Sequence, residues 1–182
     1  MKPVLYALML LAGGGLVLSF GAHVMALAGV PIPGGGLVWV LHGGIFVVLL
    51  PTILASNQMT RHVDRKDLWK VVLAGCPLWM RRAGCVLFVY AILNFVAFFV
   101  TTAATPKQER KLKTNENPLE VVRGFSGHWM LFYGAAFAAL YSMIHAPEMY
   151  RERKCPQGHT VAPEARFCSE CGQALSSEKG SG

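Results

Sequence analysis

Cys155, His159, Cys168 and Cys171 fall within the run CPQGHTVAPEARFCSECG, near the C-terminal end of the chain. A Cys-x3-His pair followed by a Cys-x2-Cys pair offers three soft thiolates and one imidazole, the donor set that tetrahedral zinc takes in a closed structural site. Such a site has no open position for substrate, so its chemistry is folding, not catalysis. Gly172 follows the last Cys and Gly158 precedes the His; each can take the positive φ that a chain needs to turn around a metal. Only Val161, Phe167 and Leu175 are available to pack beside the ligands, so metal ligation must supply most of the folding free energy of so small a segment. The competing reading, incidental cysteines in a disordered tail, is disfavoured by the paired spacing and the flanking glycines.

The remaining groups capable of chemistry lie in apolar surroundings. His23, His42 and His128 could offer imidazoles to haem or to a metal, because ionisable residues at membrane depth are rare and often functional. Each can also sit near the interface and bond water or headgroups, and that reading is preferred; haem is disfavoured. His145 lies about 25 Å from His128 along one helix and cannot share a ligand with it. Asn94 is expected to bond a neighbouring helix, with Tyr133, Tyr141 or Ser142 as partners, and a substrate-binding role for it is the weaker alternative. Cys76 and Cys85 read as small buried hydrophobes. No catalytic constellation stands out, and the chain is read as a non-enzyme.

The elements that must position these residues are membrane helices. The 182-residue chain is 53% hydrophobic and 15% charged, too apolar for a soluble domain of its size. Segments 4–30, 37–55, 85–104 and 128–146 contain no Asp, Glu, Lys or Arg and each matches the roughly 20 residues that cross hydrocarbon. The predicted fold is therefore an all-α membrane protein, a four-helix transmembrane bundle over 1–147, with a small metal-binding domain over 148–175 and a flexible tail over 176–182. The first segment exceeds one span and should tilt, bend at Gly13-Gly14-Gly15 or run into the interface near Pro31. Cleavage after Ala26-Leu27-Ala28 is disfavoured, since the apolar run before it is too long for a signal peptide. Small-residue pairs in Gly134-Ala135-Ala136 and Ala138-Ala139 allow close helix approach, within one chain or in a homo-oligomer.

The net charge of +7 raises nucleic acid as a partner, but basic residues in membrane proteins gather in cytoplasmic loops. Twelve of the Lys and Arg residues fall on the N-terminal tip, segment 56–84 and the tail, against five in 105–127. Both termini are thus predicted to be cytoplasmic, where a reducing compartment disfavours a disulfide. In 64–80, Leu68, Trp69, Val71, Val72, Leu78, Trp79 and Met80 alternate with basic residues, as suits an amphipathic segment in the headgroup layer, or else a plain loop packed on the bundle; Pro77 should break it before the third span. Asn117-Pro118-Leu119-Glu120 predicts a short helix that stops near Gly124, and 106–116 is predicted to be a polar loop.

The tail resembles the short zinc-ribbon domains found at the ends of many bacterial membrane proteins. Phe167-Cys168-Ser169-Glu170-Cys171-Gly172 is similar to the second knuckle of that family and Leu175 to its trailing apolar residue. Cys155-Pro156-Gln157-Gly158-His159 departs from it, with His in place of the second Cys and one residue later. The resemblance covers about 154–175 and implies a structural Zn²⁺ at a docking module on a bacterial inner-membrane protein. Taken together the residues predict a scaffold or protein-interaction component whose partners are membrane lipid and a protein at the cytosolic ribbon. The alternatives are a small membrane redox protein using the outer histidines and a transporter or channel subunit; the latter is weakened because the spans contain no charged residue to move ions or protons. Arg151, Arg153, Lys154 and Arg166 are interleaved with Glu148, Glu152, Glu164 and Glu170, which argues against nucleic acid.

Overall fold

The structure is a computed structural model, and its described residues are 2–61, 63, 65–104, 118–150, 153–161 and 165–175. The predicted polar loop 106–116 and tail 176–182 lie outside them. The described chain is mostly helical: α1 (Lys2–Leu27), α2 (Val40–Met59) entered through a 3₁₀ turn at Gly35–Trp39, the short α3 (Leu68–Val72), α4 (Leu78–Ala104) and α5 (Pro118–His145). A 3₁₀ turn, Pro147–Tyr150, leads to two strands, β1 (Arg153–Lys154) and β2 (Thr160–Val161), which pair antiparallel with Lys154 opposite Thr160. Among the described residues, three stretches, Lys2–Leu27, Gly35–Met59 and Leu78–Ala104, are long and apolar enough to cross a membrane.

α5 is the central post. Val122, Ser126, Trp129, Tyr133, Ala136, Leu140 and Met143 are all buried, and their spacing of three or four residues makes one continuous stripe. α1 presents a matching seam of Ala12, Gly15, Ser19, Ala22 and Ala26, all buried. Small side chains at that spacing let two backbones approach closely, which is what helix association in lipid requires where no hydrophobic drive operates between helices. Tyr133 shows how close. A Cβ on Gly15 would lie 2.6 Å from its Cζ, and the ring reaches past Gly15 to donate its hydroxyl to the Leu41 carbonyl of α2 at 2.8 Å. α2 and α4 also pack on α5. α4 is barely covered: 6% of its most apolar window is buried, with Val86, Val89, Leu93, Val96 and Val100 outward. Hydrocarbon solvates such a face at no cost.

The structure departs from the sequence-based expectations at helix ends. α4 begins directly after Pro77, at Leu78, before the expected start at Cys85. α5 is described from Pro118, the residue after the expected cap Asn117, which lies outside the described residues; the helix does not stop near Gly124 but runs unbroken to His145. Gly124 and Gly127 are contact points inside it: a Cβ there would lie 2.5 Å from Phe98 Cδ2 and 2.7 Å from Asn94 Nδ2. Because α4 and α5 both start earlier, Asn94 faces the first turns of α5. Its amide donates to the carbonyls of Arg123 at 3.0 Å and Gly124 at 3.1 Å, not to Tyr133, Tyr141 or Ser142, which corrects the expected partners. Replacing Asn94 by Ala should lower bundle stability by about 0.6 kcal/mol, and by no more than about 2, read as a shift in the midpoint of unfolding by dodecyl sulfate in mixed micelles.

α3 and the turn after it lie on the end of α5. Gly75 sits so near that a Cβ would be 2.9 Å from Ser142 Cα; its N–H donates to Ser142 Oγ at 2.9 Å. Cys76 donates its thiol to the Ala138 carbonyl at 3.2 Å and Arg81 closes the turn on the carbonyls of Ala74 and Cys76. Burial pushes the Cys76 thiol up, against the pull of Arg81, in keeping with a small buried hydrophobe; Cys85, by contrast, is exposed. Tyr150 extends this contact to the chain leaving α5: it is buried and donates to the Val72 carbonyl at 3.0 Å. Burial pushes its phenol up to about 12, so it remains a donor at all physiological pH.

Candidate metal centre and the intramembrane histidines

Two tight turns build the C-terminal cluster. In the first, Gly158 N–H donates to the Cys155 carbonyl at 2.8 Å and Cys155 N–H to the His159 carbonyl at 2.9 Å. In the second, Gly172 N–H donates to the Cys168 carbonyl and Cys168 N–H to the Gln173 carbonyl, both at 2.9 Å. Gly158 has φ 87° and Gly172 φ 70°, the left-handed conformation in which a side chain is strained. A Phe167–Ala174 bridge and the Leu175 N–H to Arg166 carbonyl bond close the second loop. Cys155, Val161 and Cys168 are buried, with Ala165, Cys171 and Leu175 packed against them. Phe167, expected to pack beside the metal, is 64% exposed, and the smaller Ala165 is among the residues that pack against the buried cysteines.

One ligand atom each from Cys155, His159, Cys168 and Cys171 lie within 4.8 Å of one another. The Cys155 and Cys171 sulfurs are 3.8 Å apart, and His159 Nδ1 is 3.5 Å from Cys155 Sγ and 3.7 Å from Cys168 Sγ. A regular tetrahedron with zinc bond lengths has edges of about 3.8 Å between sulfurs and about 3.6 Å between sulfur and nitrogen. The cluster can hold one metal ion, and its dimensions and donors are compatible with zinc. The protein environment also favours the ligating form of one thiol: backbone amides, that of Cys171 foremost, bring Cys168 down to about 6, outweighing its partial desolvation. Cys171 moves the other way, because desolvation and the neighbouring Cys168 and Cys155 outweigh the pull of the Gln173 amide. Three thiols this close cannot all ionise without a cation among them.

The other candidate residues meet in part. His42 and His128 are neighbours, with ring centroids 5.7 Å apart and perpendicular planes, in a nest of Trp39, Phe46, Phe95, Phe125, Trp129 and Phe132. Trp129 donates its indole N–H to His42 Nδ1 at 2.9 Å; since indole only donates, that nitrogen carries no proton and Nε2 does. His23 is engaged elsewhere: Nδ1 meets Ser126 Oγ at 2.7 Å, Nε2 meets the Tyr90 hydroxyl, and Ser126 in turn donates to the Arg123 carbonyl. This three-helix clamp joins α1, α4 and α5 and takes up both ring nitrogens. Nδ1 of His128 and Oγ of Ser19 are buried with no hydrogen-bond partner among the described residues. His145 caps the end of α5, stacked on Tyr141 at 4.0 Å.

Sequence reasoning did not find Tyr90, Ser126 or Trp129 as partners of these histidines. Tyr and Ser are common in membrane helices, and only the register of three helices distinguishes these. Glu170 beside His159 had a sequence signal, since it lies inside the second knuckle. No family model, no curated protein and no solved structure matches this chain.

Proposed function

We propose that the protein is a membrane-anchored interaction module: four helices cross the bilayer, α5 among them, and residues 153–175 form a zinc ribbon at the cytoplasmic face that docks a protein partner. The observation that carries this reading is the convergence of four ligand atoms within 4.8 Å in a segment whose remaining core is Val161, Ala165 and Leu175. Such a segment exists as a fold to hold and present a surface, with its metal as the core. Support for the fourth crossing comes from α5 itself. Its 28 residues span about 42 Å, and 124–146 contains no Asp, Glu, Lys or Arg. It runs antiparallel to α1, from Gly13 against Phe137 to His23 against Ser126, so these stretches share a depth. The excess of basic residues on segment 56–84 and the tail supports cytoplasmic termini. His23 and His42 lend less to a redox reading, since His23 has both ring nitrogens bonded to side chains and His42 accepts at Nδ1; a haem or metal ligand needs a free lone pair.

Affinity purification of the full chain from solubilised native membranes tests this reading. The wild type is expected to carry a discrete partner that a chelator releases, and Cys168→Ser/Cys171→Ser is expected to lose it with membrane insertion unchanged. A double variant that keeps every partner, yet loses haem or a transport activity, would overturn the scaffold and direct attention to His42 and His128.

A further inference from the structure

The two knuckles are alike in backbone but not in where they place their second ligand. In each, the leading Cys N–H donates to the carbonyl of the residue just past the positive-φ glycine: His159 in the first, Gln173 in the second. Cys171 stands before its glycine, whereas His159 stands after its own. His159 therefore occupies the place that Gln173 holds in the second knuckle, and its side chain must reach back over the turn to meet the sulfurs. The near ring nitrogen, Nδ1, makes that reach: it lies 3.5 Å and 3.7 Å from Cys155 and Cys168 Sγ. Nε2 points away from the cluster, 3.5 Å from Glu170 Oε2.

We infer that His159 binds the metal through Nδ1 and that Glu170 is a positioning residue, accepting the Nε2–H and so holding the imidazole in the one tautomer that leaves Nδ1 free. This inference rests on the metal-centre reading of the cluster. A ligating histidine needs its other nitrogen protonated, and a carboxylate on that N–H both fixes the ring and strengthens the ligand. Glu170 is placed for this by the second knuckle, between Cys168 and Cys171, so the two halves of the site are joined by a contact outside the metal. Its side chain is 65% exposed, with Oε2 within ion-pair distance of Nε2. The late His and the Glu inside the opposite knuckle then act together: the ligand placed past the glycine reaches the sulfurs through Nδ1, and Glu170 faces the Nε2 that this leaves outward.

Full-length protein labelled with [¹⁵N]histidine and loaded with ¹¹³Cd²⁺ in detergent micelles tests this directly, with Zn²⁺ affinity measured in parallel by chelator competition. The His159 signals are assigned by their loss in His159→Cys, which keeps a metal ligand. Scalar coupling from ¹¹³Cd to Nδ1, with a proton on Nε2, is expected. Glu170→Ala should weaken Zn²⁺ binding about tenfold, the lower end of what loss of such a partner costs, while Glu170→Gln, whose amide oxygen still accepts, should restore most of it. Coupling to Nε2 would overturn the assignment while leaving the metal centre intact. Unchanged affinity in Glu170→Ala would remove Glu170 from the site. A wild type that takes up neither Cd²⁺ nor Zn²⁺ would instead refute the metal centre on which the inference stands.

Discussion

Replacing Cys168 and Cys171 together by Ser is expected to unfold residues 153–175 outright and leave the helices untouched. The segment has two strands of two residues each and a core of three buried residues, two of them cysteines of the cluster. That is too little apolar area to offset the ordering of some twenty residues. A structural zinc site supplies about 10–16 kcal/mol of apparent binding free energy, which in a segment with so small a core would be folding free energy. The bundle has no such dependence, because its helices satisfy their own backbone in lipid and pack through α5. Limited proteolysis of detergent-solubilised protein should show rapid cleavage after Arg153, Lys154 and Arg166 in the double variant or with chelator, and protection of all three in the zinc-loaded wild type, with the same helical circular dichroism in both. A segment that resists protease without metal would show that it folds on its own core.

Gly15→Leu should produce the largest loss in the membrane domain. α1 is held to α5 by small residues, and at Gly15 the Tyr133 ring already fills the space a Cβ would need. The added side chain must push the ring aside, which breaks its hydrogen bond to the Leu41 carbonyl and separates α1, α5 and α2 together. Overpacking costs about 1–3 kcal/mol and the lost bond about 1 more, so a loss of about 3 kcal/mol is expected in dodecyl sulfate unfolding. Gly14→Leu is the control, because nothing lies within 4 Å of a Cβ there; it should change stability by less than about 0.5 kcal/mol, the usual range for surface positions. Equal losses in the two variants would mean that the α1–α5 seam is not where Gly15 places it.

The convergence of Cys155, His159, Cys168 and Cys171 and both turning glycines were legible in the sequence because their chemistry is local: a pair of cysteines at fixed spacing and a Gly beside each turn constrain geometry whatever surrounds them. Apolar length alone likewise revealed the three helices long and apolar enough to cross a membrane. What stayed hidden depends on which faces meet. The small-residue signal was read on Gly134 to Ala139, whereas the close seam is Ala12, Gly15, Ser19, Ala22 and Ala26 of α1, a spacing masked by the large apolar residues between them. Gly124 read as a stop because glycine ends helices more often than it seats a neighbour's ring; Phe98 on α4 decides otherwise. Asn94 was assigned to the correct neighbouring helix but to different residues, since the helix starts set the antiparallel register. Phe167 read as core because it is apolar, yet its side chain is exposed.

Elemental analysis of the full chain, purified in detergent without added metal, tests the central claim most directly. One zinc per chain is expected, falling to none in Cys168→Ser/Cys171→Ser, with no Soret absorbance in either. A wild type without stoichiometric zinc, or one whose zinc survives loss of both cysteines, would contradict it.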